Sequence, residues 1–370
     1  MNPSIHLKFE EDGIYKFTLS GVNVSIANAI RRTILSDIKT VCIDTDTCKF
    51  EINNTRLHNE ILKERLNAIP VYSKDLEKLV KDYCLEVDVK NDTDNLIYLT
   101  TADFKIKNKE TGNYITEENR NRIFPKNLLT DSYIDFARLG CHIDDTIEDE
   151  RIKLTASFVV RTAKENGAYS VVSKCTYENT RDAEKAKEIW EELKKESINE
   201  TTDESQIEFK KRDFYYLDAQ RYFIPDSFDF TIESIGVFTN QELLTKACIL
   251  LNNSFHDFLG DIETEKYTIQ KSCYTEHHPS TIENSFDVIL DKDYTFGKVL
   301  EYILYEKFFQ EKHMLTYIGF KKFHPHDTYS ILRIAFAEKV DVEDVRSKLI
   351  EASNIATTIF TKLHGYFKNK

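Results

Sequence analysis

The side chains of this sequence best suited to hold a metal or move a proton fall into three groups. His277 and His278 are adjacent, and His324 and His326 flank a proline. An acidic run supplies Asp144, Asp145, Glu148, Asp149 and Glu150. Seven cysteines stand apart at 42, 48, 84, 141, 175, 248 and 273. Structural zinc needs Cys or His ligands at short repeated spacings, and no Cys-x-x-Cys occurs. Magnesium sites pair carboxylates with bound phosphates, yet neither GxxxxGK[ST] nor GxGxxG is present in a chain with 10 glycines. The carboxylates therefore read as a solvated loop and the histidines as polar turns. Ser, His and Asp all occur, but no nucleophile elbow accompanies them. The expectation is no catalytic residues, no metal and no cofactor. Cys42 and Cys48, evenly spaced in a strand-like stretch, read as small buried side chains.

Composition narrows the partners. The chain has 370 residues, 41% hydrophobic and 31% charged, enough for two or three domains with cores of their own. A protein gripping a phosphate backbone carries clustered Lys and Arg, whereas the net charge here is −13. Little or no direct nucleic-acid contact is expected. No apolar run approaches the ~18–20 residues that span a bilayer. The first residues lack the basic start and apolar middle of a signal peptide. Scattered, unpaired cysteines suit a reducing intracellular compartment.

Ile5, Leu7 and Phe9, then Tyr15, Phe17 and Leu19, alternate around Glu-Glu-Asp-Gly as a half-buried hairpin does. Ser25 can cap a helix through Leu35, with Ile26, Ile30 and Ile34 on one stripe and Ala27 admitting a close neighbour. Residues 42–178 are strand-rich, apart from a short helix that Pro70 stops. Ala183 to Lys194 is helical in composition, anchored by Trp190 and Leu193. The Asn-Glu-Thr-Thr-Asp-Glu-Ser that follows reads as a surface loop or as disordered. After the strand pattern of Phe228, Phe230 and Ile232, Asn240 caps a helix bearing Leu244, Ala247, Leu251, Ser254 and Phe258. Residues 270–281 are polar and form the best linker. A strand, a short helix, two strands and a long helix capped by Asp341 then follow. That last helix carries Val345, Leu349, Ala352, Ala356, Ile359 and Leu363.

The second half replays the first. Setting Ser25 against Thr295 pairs Ile26 with Phe296, Ala27 with Gly297, Ile30 with Leu300 and Ile34 with Leu304. Each half ends in a long striped helix, and a stripe must bury itself against something. The simplest cover is the other half. Five or six side chains per helix, at about 1.5–3 kcal/mol each as an upper value, would hold the halves together with no second copy. The expected fold is α+β: two similar dimerisation modules fused as an intramolecular pseudo-dimer. The first module comprises 1–41 and 179–262, with an inserted strand-rich domain at 42–178. A linker at 263–283 leads to the second module, 284–370.

The stretch "ANAIRRTILSDIKTVCID" (27–44) resembles the signature helix and strand of alpha-type RNA polymerase subunits. These are bacterial alpha, its archaeal D-type equivalent and the third subunit of eukaryotic RNA polymerase II. "NTRLHNEILKERLNAIPV" (54–71) resembles their next block, with Arg65, Leu66, Ile69 and Pro70 at its Arg-Leu-x-x-Ile-Pro places. "FDFTIESIGVF" (228–238) resembles their strand before the terminal helix. The last hundred residues resemble the archaeal L-type polymerase protein and the eleventh subunit of polymerase II, with Gly319, His324, Pro325 and Arg333 at matching places. Elsewhere these two are separate chains forming a heterodimer.

The resemblance implies alpha-N-terminal-type modules and a scaffold on which the second-largest, then the largest, catalytic subunit assembles, with small polymerase subunits beside them. It implies that Arg31 and Arg32, joined by Arg65, face the large subunits, and that no homo-oligomer is needed. Fused subunits of this kind occur in large DNA viruses, which implies a viral source and a place in host cytoplasm, virus factory or virion. The chain departs from the pattern in its inserted domain. Only Cys84 and Cys141 stand where relatives carry a zinc loop or iron–sulfur ligands, so no metal carries over. Lys298 and Glu301 replace the usual Asn and Arg. Two other readings stay open: a free-standing interaction protein using the same dimerisation fold, and an acidic metal-dependent hydrolase.

Overall fold

The computed structural model describes residues 1–144, 146–200, 204–275 and 278–368. The chain runs β1 (Ser4–Glu11), β2 (Ile14–Ser20), α1 (Val24–Ser36), β3 (Thr40–Asn53), α2 (Asn59–Asn67), α3 (Lys78–Asp82), β4 (Tyr83–Lys90), β5 (Ile97–Thr100), β6 (Lys105–Asn108), α4 (Glu117–Ile123), β7 (Asp135–Leu139), β8 (Arg151–Arg161) and β9 (Val172–Arg181). It continues through α5 (Ala183–Glu200), α6 (Glu204–Tyr216), β10 (Phe223–Ser234), α7 (Asn240–Glu263), β11 (Thr268–Lys271), β12 (Ser285–Leu290), α8 (Tyr294–Leu304), β13 (Leu315–Lys321), β14 (Ser330–Phe336) and α9 (Val342–Lys368). A π-helix, Tyr305–Glu311, continues α8. No helix among the described residues is long and apolar enough to cross a membrane.

Two compact units divide this mixed α+β chain. One comprises Met1–Thr33, Lys174–Glu233 and Leu244–Lys370; the other comprises Ile34–Ser173 and Ser234–Leu243. The inserted unit thus begins at 34 and ends at 173, against the 42 and 178 expected from sequence, and it also takes in the turn before α7. The reason lies in hydrogen bonds. Val171 O accepts from Ile235 N at 3.2 Å and Ile235 O accepts from the Tyr72 hydroxyl at 2.8 Å, tying that turn into the second unit.

The first unit holds two four-stranded sheets, ordered β1-β2-β10-β9 and β11-β12-β14-β13. Alternation puts Tyr15, Phe17 and Leu19 of β2 in the core, and Phe17 stacks on its cross-strand partner Phe230 at 5.0 Å. Three helix starts are settled by side chains. Asn23, not Ser25, caps α1, its Oδ1 accepting from Ser25 N at 2.9 Å. Thr239 and Glu242 form a reciprocal capping box at α7, while Asn240 Oδ1 accepts from Ser234 N. Asp341 and Asp344 bond each other's backbone N–H at α9.

Two stretches differ from their sequence reading. Asn199 and Glu200 still belong to α5, and Glu204 already starts α6; residues 201–203 of the presumed loop lie outside the described residues. The two helices pack on a small core of Ala186, Trp190, Phe214 and Ala219, which rewards helix where polarity alone suggested loop. The presumed linker, 263–283, contains β11, paired antiparallel with β12, and a 3-10 turn at Ser272–Tyr274. Its anchor is the buried carboxylate described below.

The second unit has a four-stranded sheet, β3-β8-β4-β6, and a two-stranded one, β5-β7. One apolar cluster fills it, including Leu62, Leu66 and Ile69 from the α2 segment and Leu85, Val87 and Leu154 from the larger sheet. Phe104 sits edge-on to Phe124 and Phe136, with centroids at 5.4 and 5.6 Å.

Candidate assembly interface

Ile26, Ala27, Ile30, Ile34, Leu244, Ala247, Leu251 and Phe258 of the earlier helices are all buried. So are Phe296, Gly297, Leu300 and Leu304 of α8 and Val345, Leu349, Ala352, Ala356, Ile359 and Leu363 of α9. Within the first unit α7 meets α8 and α9. Phe255 of α7 stacks on Phe296 at 4.3 Å and on Phe360 at 5.9 Å, and Phe258 meets Phe296 edge-on at 5.0 Å. Such pairs add about 0.5–1.5 kcal/mol each beyond the area they bury. Phe255 was missed in the sequence because Ser254 also fits a spacing of three from Leu251; the ring, not the hydroxyl, takes the buried place. Gly297 has a plain purpose: a Cβ there would intrude on the Phe320 ring.

Polar contacts join the same two stretches. Arg32 Nε donates to Thr295 Oγ1 at 2.9 Å, linking α1 to the start of α8. The Tyr366 hydroxyl donates to Pro3 O at 3.2 Å, Lys8 Nζ donates to Tyr366 O at 2.9 Å, and Phe17 lies edge-on to Phe367 at 5.4 Å. The chain's two ends are therefore held in one body.

The three expected docking arginines have different surroundings. Arg31 is half-buried, with Nε and Nη2 donating to Asn28 Oδ1 one turn back at 3.1 and 2.9 Å. It lies near Cys175, whose thiol burial pushes up to about 12 while the arginine charge pulls the other way. Arg32 is exposed, and its bond to Thr295 is one of several interactions it makes. Arg65 donates Nε to Phe136 O at 2.6 Å and Nη2 to Asp135 O at 2.9 Å, so its guanidinium ties α2 to β7.

The strongest electrostatic feature was not foreseen. Asp287 of β12 is fully buried, and Arg333 of β14 grips it with Nε at 2.6 Å and Nη2 at 2.7 Å. The Ser272 and Thr275 hydroxyls each donate to it at 2.6 Å, and Arg333 Nη2 also reaches His278 O at 2.7 Å. Burial alone would raise the Asp287 pKa; the arginine and hydroxyl hydrogen bonds outweigh it and hold the carboxyl below its usual range. A cross-strand Asp–Arg pair was the available signal, but cross-strand partners show only once register is known. Nearby, the Tyr267 hydroxyl donates to Asp261 and Asp291, both at 2.9 Å; burial first and the carboxylates next push its pKa up.

The groups first suspected of chemistry are otherwise engaged. Asp149 pairs with Lys90 at 2.7 Å and with His142 at 2.6 Å, Glu150 accepts from Gly140 N at 2.6 Å, and Asp144 caps the turn at Thr146. Asp145 and His277 lie outside the described residues. His278 stacks on Phe323 at 3.4 Å, while His324 Nδ1 accepts from His326 N at 3.2 Å. Among the described residues no three metal-ligating side chains converge. What this arrangement can do is join α1 and α7 to α8 and α9 within one chain and present their outer surfaces.

Residues 16–255 match the family model of the RNA polymerase Rpb3/Rpb11 dimerisation domain. The DNA-directed RNA polymerase II subunit rpb3 of Dictyostelium discoideum is 39% identical over 72 residues, 20% of this chain and 23% of that protein. The DNA-directed RNA polymerase subunit Rpo3 of Pyrococcus furiosus is 36% identical over 97 residues, 25% of this chain and 36% of that one. Subunit 3 of DNA-directed RNA polymerases II, IV and V from Arabidopsis thaliana is 38% identical over 72 residues, 20% of this chain and 22% of its own length. The matched stretch therefore spans 22–36% of the length of these curated relatives.

Proposed function

Because the chain belongs to the RNA polymerase Rpb3/Rpb11 dimerisation-domain family, we propose that it is a non-catalytic assembly subunit of a DNA-directed RNA polymerase. In this reading it is a fusion: residues up to α7 act as the Rpb3-like partner, and residues 284–370 act as the partner of Rpb11 type. The observation that carries it is the aromatic and polar contact between the two stretches inside one unit, with Phe255 on Phe296 at its centre. The family match ends at 255, so the second half rests on that geometry and on its replay of the α1 pattern in α8.

The mechanism is scaffolding. A platform whose halves are already joined presents one fixed surface to the second-largest and then the largest subunit, and nucleotide addition belongs to those chains. Arg31 and Arg32 would dock the large subunits; Arg32 also steadies the joint through Thr295. Arg65, spent on the carbonyls of β7, would act by positioning that strand. A viral source, and with it a virus factory or virion, belongs to the same reading and rests on the fusion alone.

Mass spectrometry of proteins recovered with the tagged full chain at native abundance tests this. Polymerase large subunits at near-equal amounts are expected; recovery of the chain without them refutes the assignment. Arg31→Glu should leave circular dichroism unchanged and reduce that recovery.

A further inference from the structure

The sheet β11-β12-β14-β13 ends at β13, and β13 differs from the edge strands β11 and β1. β11 has only 4 residues. β1 is interrupted between His6 and Phe9, with Leu7 in the left-handed region at φ 51°. Past one irregularity near its start, β13 pairs regularly with β14 from Tyr317 to Lys321 and contains no proline. An edge of this kind offers a row of backbone donors and acceptors to another strand.

Two cavities of about 480 and 310 Å³ adjoin along that edge, sharing Lys298, Glu301 and Ile318. Their walls are aromatic: Tyr177, Tyr302 and Tyr305 at one end, Tyr317 and Phe323 at the other. Charge decides what fits. Lys298 is neutralised by Glu301 at 2.5 Å, whereas Lys321 and Lys322 at the end of the strand have no acidic partner among the described residues. In a chain of net charge −13 this is a locally basic edge beside an apolar trough.

We propose that the free edge of β13 receives an acidic, extended segment of another protein as an added strand. Backbone hydrogen bonds supply affinity, apolar side chains enter the tyrosine-lined trough, and acidic ones meet Lys321, at the trough's end, and Lys322 beyond it. The inference does not depend on the polymerase assignment.

The test uses the full chain and a fluorescein-labelled peptide of alternating valine and glutamate, read by anisotropy and by hydrogen exchange. Binding is expected to slow exchange of the amides at 317–321. Methylating alternate backbone nitrogens of the peptide should abolish it, and K321E/K322E should weaken it about tenfold. Protection that appears elsewhere, equal binding of the methylated peptide, or equal binding by K321E/K322E would each overturn the proposal. A valine–lysine peptide that binds as well would do the same.

Discussion

Replacing Arg333 by Met keeps a long apolar stem and removes the charge that faces Asp287. In the native protein the carboxylate, fully buried, receives two hydrogen bonds from Arg333 and one each from Ser272 and Thr275. Truncating one partner of a buried pair strands the other charge, at a cost of about 3–5 kcal/mol. With a urea slope of about 3 kcal/mol/M, the midpoint should fall by about 1–1.7 M. The pH dependence has a definite sign. The wild-type Asp287 pKa is depressed, so its contribution is complete above the unfolded value of about 3.9 and is lost as pH falls toward the folded one. In R333M burial dominates and the carboxyl pKa rises, so the penalty is present at neutral pH and relieved by protonation. Wild type and variant should therefore converge as pH drops toward about 4. Urea titrations at pH 7 and pH 4.5, followed by far-ultraviolet circular dichroism, measure this. A loss below about 1 kcal/mol at pH 7, or one that widens in acid, would refute the reasoning. Exchange at 268–275 should also accelerate, because the segment loses its anchor.

Other substitutions probe other contacts. Phe255→Ala should cost about 3–5 kcal/mol in thermal or urea unfolding, since it removes a ring that touches both α8 and α9. Gly297→Ala should cost about 1–3 kcal/mol through collision with Phe320, and a Phe320→Leu background should recover part of it. Cys141 and Cys273 are exposed and should react at once with a thiol reagent. Burial pushes Cys42, Cys175 and Cys248 up to about 12 and Cys48 up to about 11, so these four should react only on unfolding. Arg65→Ala should destabilise the second unit by about 1–3 kcal/mol by leaving the Asp135 and Phe136 carbonyls unpaired, read as faster exchange in β7.

Periodicity served well wherever burial is one-sided. The α1 and α8 stripes, the long α7 and α9, and strand β2 all advertise a core face at spacings of two, three or four. Strand β1 does not follow the half-buried alternation expected of it: the register shift between His6 and Phe9 leaves Leu7 and Phe9 exposed. What escaped depends on partners distant in sequence. Ser272 and Thr275 look like linker residues until the register of β12 with β14 sets Asp287 opposite Arg333. Asn23 and Ser25 are equally good caps by type, and only backbone geometry chooses between them. The start of α6 is polar and helical nonetheless, because Phe214 and Ala219 give it a core with Trp190. Arg65 carries the motif position of a surface residue, yet its guanidinium is consumed by carbonyls about seventy residues further along.

A joint made within one polypeptide has no second-order step. The rings of Phe255 and Phe296 sit on the same chain, a short turn and one strand pair apart, so their encounter rate does not depend on how much protein a cell holds. Dilution does not separate the α7 and α8–α9 stretches, and neither can be made in excess of the other.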